Sequence, residues 1–191
     1  MNKGEGQRQA IINSADKLFY QSGFESTSYA AIAKDCKIPK GNFYYYFKSK
    51  DEILLSVIQS KKERFKSLLS EWDSTNMSPY QKLHKFISMV EGNSKSTCVY
   101  GCPIGTLNSE LGKKSRELQK YAKELFEIFI IWITKQFETL LDKKTSRSKA
   151  EYLMVMAEGA ALMAHAYKKP SVLKNSANEI RKWLDIEFSI K

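Results

Sequence analysis

Apolar residues recur along this chain at the three- and four-residue spacing of helix faces, and nowhere in the strict alternation of a half-buried strand. Ile11, Ile12, Ala15, Leu18 and Phe19 form the first stripe and predict a helix from about Gln7 to Ser22. Gly23 can close it in a left-handed conformation, and Phe24 follows as a core anchor. Thr27 and Ser28 supply hydroxyls to a second helix start, about Tyr29 to Cys36, with Ile32 and Ala33 inward. A turn at Lys37-Ile38 comes next, with Ile38 as a buried plug. Pro39 then suits the first turn of a short third helix ending near Tyr46. Phe47 packs back. Ser49 with Glu52 three residues on makes a capping box for a fourth helix to about Trp72.

Beyond it, Ser74 to Pro79 has the composition of a linker. The pattern then predicts helices over about 80–91, 115–141, 150–167 and 175–188. Polar loops are expected at 92–97 and 142–148, and a break at Pro170. The fold class is all-α. The division expected is a three-helix N-terminal domain, 1–50, and a helical remainder, 51–191, for effector binding and self-association.

Charge sharpens this picture. The 191 residues carry a formal net charge of +10, which favours a polyanionic partner. No apolar run reaches the length of a membrane span, since Leu125 to Ile133 is short and interrupted by Glu127. The N-terminus has no apolar signal-peptide core, so a cytoplasmic protein without membrane contact is expected. Three cysteines, Cys36, Cys98 and Cys102, are an odd set that argues for reduced thiols. Two histidines, no phosphate-cradling glycine loop and no nucleophile–base arrangement argue against an enzyme. No cofactor and no metal site are expected.

The stretch from Thr27 to Asp51 concentrates the chemistry. A helix-turn-helix needs hydroxyls at its first helix start, a tight turn, a recognition tip free of bulk, and flanking cations. Lys40, Gly41 and Asn42 form such a tip, and Tyr44 and Tyr45 can reach base edges or phosphates. Residues 34–50 hold five lysines against one aspartate. Phe43 and Phe47 read as core, Tyr46 as either core or contact, and Cys36 as core. The bland alternative is a solvated basic helix pair beside an aromatic cluster.

At these residues the chain resembles the TetR family of bacterial transcriptional regulators. The resemblance rests on Gly23-Phe24, Thr27-Ser28, Ile32-Ala33, KGNFYYYF from Lys40 to Phe47, and Lys50. It implies a recognition helix in the major groove of double-stranded operator DNA. By position, the contacts are Thr27, Ser28, Lys40, Gly41, Asn42, Tyr44, Tyr45 and Lys50. Two departures stand out. Lys37 replaces the usual turn glycine, at a cost of about 1 kcal/mol if the left-handed conformation is kept. Pro39 replaces a hydroxyl cap.

The segment CVYGCPIGTLNSEL resembles a glycine–cysteine turn found in one subset of that family, some of whose members sense electrophiles through a cysteine at the position of Cys102. A helix N-terminus can lower a thiol pKa, so Cys98 and Cys102 are sensor candidates. They read more readily as small, inert, buried residues. Tyr100, Phe129, Trp132 and Met156 are candidates for lining a small-molecule cavity, or else ordinary core. Helix 150–167 is apolar over much of its circumference, which calls for a partner subunit. The family implies a homodimer through the last two helices and a palindromic operator. Together these readings anticipate a homodimeric repressor released by a small-molecule or thiol-reactive effector. The alternative is a constitutive architectural DNA binder.

Overall fold

The computed structural model describes residues 3–189, which form ten α-helices and, among the described residues, no strand. They are α1 (Lys3–Ser22), α2 (Tyr29–Cys36), α3 (Lys40–Tyr46), α4 (Lys50–Asp73) and α5 (Pro79–Gly92). There follow α6 (Ser94–Tyr100), α7 (Gly105–Lys114), α8 (Arg116–Phe137), α9 (Lys143–Ala166) and α10 (Pro170–Ser189). Among the described residues, no helix is long and apolar enough to cross a membrane. The helices pack as two units. One takes the chain up to Arg64 together with Thr106–Leu125; the other takes Phe65–Gly105 and the chain from Phe126 onward.

In the first unit, α1, α2 and α3 close over Ile11, Ala15, Ile32, Phe43 and Phe47, all fully buried. Burying such side chains stabilises by roughly 1.5–3 kcal/mol each. Gly23 ends α1 at φ +86°, the left-handed geometry its lack of a Cβ permits. Lys37 ends α2 at φ 56°, ψ 32°, so the turn keeps the glycine-type conformation despite its side chain. The cost is offset by its N–H reaching the Ala33 and Lys34 carbonyls, and by Ile38 plugging the core at 7% exposure. Ser49 Oγ accepts from the Glu52 N–H, while the Glu52 carboxylate reaches the Lys48 N–H. This is a variant of the expected box.

The second unit buries Leu83, Phe86, Ile87, Ile133, Phe137, Leu153 and Leu184. Two expected loops are helical there. Residues 94–100 form α6 because Ser94 and Thr97 turn inward and are buried. Asp142 caps α9 by accepting the Lys144 and Thr145 N–H groups, which, with the Thr145 hydroxyl, hold its carboxyl below the usual range. Of the basic residues after it, Arg147 bonds Glu127 and Glu151, and Lys149 bonds Glu187. Pro170 opens α10 instead of interrupting the chain before it, as its fixed φ allows. Gly101, at φ +83°, breaks α6 from α7.

Candidate DNA interface and effector region

The recognition tip is built outward from its buried side. Phe43 and Phe47 anchor α3 beneath, leaving Tyr44 61% and Tyr45 84% exposed. Tyr44 stacks on Tyr29 with ring centroids 6.0 Å apart, and Tyr29 meets Phe43 edge-on at 6.1 Å. Tyr29 was not among the expected site residues. It holds Tyr44 in place, and its hydroxyl is buried with no hydrogen-bond partner. Its pKa is pushed up, first by burial and then by the neighbouring Tyr44. Only its place at the first position of α2 could have signalled this role. A Cβ on Gly41 would meet nothing within 4 Å, so the α3 backbone is open to close approach. Asn42 is exposed beside it, and the Lys40 side chain lies outside the described part of the structure. Tyr46 turns the other way and donates to Gln7 of α1.

Ser28 caps α2, its Oγ accepting the Ala31 N–H at 3.2 Å, and it remains exposed. Thr27 departs from the expectation. It is 3% exposed, and its hydroxyl donates inward to the Gly23 carbonyl at 2.7 Å and the Leu18 carbonyl at 3.3 Å. It ties the turn. Lys50 is also engaged. Its Nζ donates to the Phe24 and Glu25 carbonyls at 2.9 and 3.1 Å and sits 4.4 Å from the Phe24 ring centroid. It locks the α1–α2 turn to α4 and has at most one donor left. Asp35, the acid within the lysine-rich stretch, is held below the usual carboxyl range by Lys17 and Ser14, at 2.6 and 2.8 Å. Lys34, Lys37 and Lys48 keep exposed side chains with no ion pair among the described residues.

Glu110 of α7 is a second residue that sequence reading missed. Its two carboxylate oxygens accept the Phe24 and Glu25 N–H groups, each at 2.9 Å. It clamps the same turn from the amide side that Lys50 clamps from the carbonyl side.

The effector candidates are distributed differently from the expectation. Phe129 is 2% exposed and packs against Phe65 and Phe86 with centroids 4.9 and 5.7 Å away. Trp132 is 5% exposed, edge-on to Trp72, and its indole N–H donates to the Asp73 carboxylate at 3.1 Å. Both are core, filled by neighbouring rings. The cavity beside them, lined by Phe86, Leu153, Ala157 and Leu173, holds about 10 Å³, room for one water. Met156 lies in an open groove along α9 and α10, with Tyr152, Gly159, Met163 and Trp183. Tyr100 ends α6, half-buried.

Cys98 is buried within α6 beside Ala160, Ala164 and Leu173, not at a loop edge. Cys102 lies between α6 and α7, and its thiol donates to Glu158 at 2.9 Å. Burial and then the Glu158 charge push its pKa up to about 12, the reverse of activation. Glu158 is itself shifted upward by burial.

An exposed aromatic tip on a short helix, preceded by a capped helix and a tight turn, defines a helix-turn-helix DNA-binding protein. Comparison with known proteins places it further. Residues 11–57 match the bacterial regulatory proteins of the TetR family, and residues 79–179 match the C-terminal domain of LmrA/YxaF-like transcriptional regulators. The chain belongs to the TetR family, within its LmrA/YxaF-like group. It is 27% identical to an HTH-type transcriptional regulator from the lacX 3′ region of Lactococcus lactis, covering 88% of each chain. It is 22% identical to the HTH-type regulator YxaF of Bacillus subtilis, over 91% of this chain and 92% of that one. Its fold matches a TetR regulator from Legionella pneumophila at TM-score 0.83, 24% identity, and 95% and 97% coverage. It also matches reduced NemR of Escherichia coli at 0.79, 18%, and 93% and 96%. The chain is therefore a DNA-binding transcriptional regulator.

Proposed function

We propose that this regulator is a cytoplasmic homodimeric repressor that grips a palindromic operator through α3 and lets go when a small molecule binds its C-terminal helices. The observation that carries the DNA-reading part is the exposure of Tyr44 and Tyr45 beside an unobstructed Gly41. Ser28, Lys40, Gly41, Asn42, Tyr44 and Tyr45 are the contacts. Thr27 and Lys50 act from behind, by fixing the turn that presents them.

Self-association is supported by α9 and α10. Val155, Leu162 and Ile186 are each more than 60% exposed, and the groove beside them measures about 570 Å³. Large apolar side chains exposed together on two neighbouring helices mark an interface, and TetR regulators act as dimers. Of the two inputs, the small molecule is favoured over a thiol-reactive one, because a thiol with a pKa near 12 is almost wholly protonated at neutral pH. The effector must bind the released state more tightly than the gripping state, since equal affinity shifts nothing.

The test is selection of duplexes from a random-sequence library by the full-length protein, followed by titration of Tyr44→Ala, Tyr45→Ala and Lys40→Ala. A palindromic selected site, bound about tenfold or more weakly by each variant, supports the reading. Unchanged affinity in all three overturns it.

A further inference from the structure

We infer that the turn joining α7 to α8 is a second DNA contact, taking backbone phosphates of the same duplex that α3 reads. Lys113, Lys114, Arg116, Lys120 and Lys123 crowd this turn and the start of α8, and all five are exposed. None pairs with a carboxylate among the described residues. Of the acids nearby, Glu110 is occupied by the Phe24 and Glu25 N–H groups and Glu124 by Lys62, so only Glu117 opposes them.

The rest of the same unit treats its cations differently. Lys17 pairs with Asp35, Lys61 and Arg64 share Asp16, and Lys62 holds Glu124. Arg8 of α1 bonds Ser56 and lies over the Phe47 ring, while among the described residues of this unit, cations without a carboxylate partner gather around α2 and α3 and at this turn. Helix stability explains only part of it. Lys113 and Lys114 close α7, where the dipole favours cations, but Arg116 opens α8, where the dipole opposes one.

Location selects the partner. Lys113 and Lys114 stand three and four residues beyond Glu110, hence on its face of the helix and about 5–6 Å from it between Cβ atoms. Glu110 grips the turn that leads into Ser28, the exposed cap of α2. The basic turn therefore borders the edge of the reading head, where a duplex held by α3 continues. Phosphate contacts of this kind add affinity and salt dependence without reading sequence.

The inference rests on the DNA-reading assignment, and its test separates the two. Full-length wild type, the triple variant K113Q/K114Q/R116Q and the conservative K113R/K114R/R116K are titrated across a salt series. The probe is a duplex selected by the wild type from a random library, read by fluorescence anisotropy. The glutamine variant should lose about two to three units of salt slope per protomer and keep the selected sequence. The conservative variant should match wild type. Single glutamine variants, each losing about one unit, serve should the triple variant fail to fold. An unchanged slope with intact sequence selection overturns this inference and leaves the head assignment standing. A wild type that selects no sequence overturns both. Binding to phosphatidylserine vesicles that the triple variant loses, with its DNA slope unchanged, overturns it in favour of a lipid surface.

Discussion

The reading head and the C-terminal unit use aromatic residues in opposite ways. In the head, Phe43 and Phe47 vanish into the core so that Tyr44 and Tyr45, on the same short helix, are forced out. In the C-terminal unit, Phe86, Phe129, Trp72 and Trp132 interlock and leave almost no space among them. The head gives up burial of two large rings, and that sacrifice is the mark of a contact surface. The C-terminal unit sets most of its exposed large apolar side chains on α9 and α10, with Val99 and Ile131 apart from them. Function in the first is legible from one helix; in the second it depends on what covers or enters a surface.

The largest test of this contrast is Leu162→Glu with Val155→Glu. A charge on each exposed position of α9 should convert the proposed dimer to monomer, seen by analytical ultracentrifugation, and weaken operator binding at least about 100-fold through lost bivalency. Next, Glu110→Ala removes the acceptor from two N–H groups of the turn. It should cost about 1–3 kcal/mol in urea unfolding, whereas Glu117→Ala, on the exposed start of α8, should cost almost nothing.

A pH experiment probes the buried pair. Glu158 has its pKa raised by burial, so the folded state holds its proton over a range where the unfolded chain has lost it. Its contribution is full below the ordinary carboxyl range and fades as pH rises through the shifted value. Glu158→Gln should therefore raise Tm at neutral pH by roughly 2–4 °C and leave it unchanged near pH 4. Cys102, with a pKa of about 12, should resist maleimide at pH 7 in the folded protein and react once unfolded. The smallest effect is Lys37→Gly. Relief of the left-handed strain, partly offset by glycine's entropy, should add about 0.5 kcal/mol.

The head was readable because each signal is local. Gly23, the Ser28 cap, Ile38 and the Phe43–Phe47 pair act within a few residues of one another, and spacing alone placed them. Thr27 and Lys50 show what local spacing leaves out. A residue type shows that a side chain can meet a phosphate, but not that a carbonyl of its own chain gets there first. Glu110 lies 86 residues from the turn it clamps, and no periodicity announces that. The polar stretches 92–97 and 142–148 read as loops because their burial and pairing come from distant partners: Arg147 finds Glu127 twenty residues back. Cys102 follows the same rule. Its neighbours suggested an activating helix start; burial, and then Glu158 56 residues away, reverse the shift.

Dimethyl sulfate footprinting of the selected duplex tests most directly whether the Lys40–Tyr45 tip enters the major groove. The account predicts guanine N7 protection in two symmetric half-sites about one helical turn or more apart, lost in Tyr45→Ala. Tight binding with every guanine N7 still reactive, or protection that Tyr45→Ala leaves intact, would contradict it.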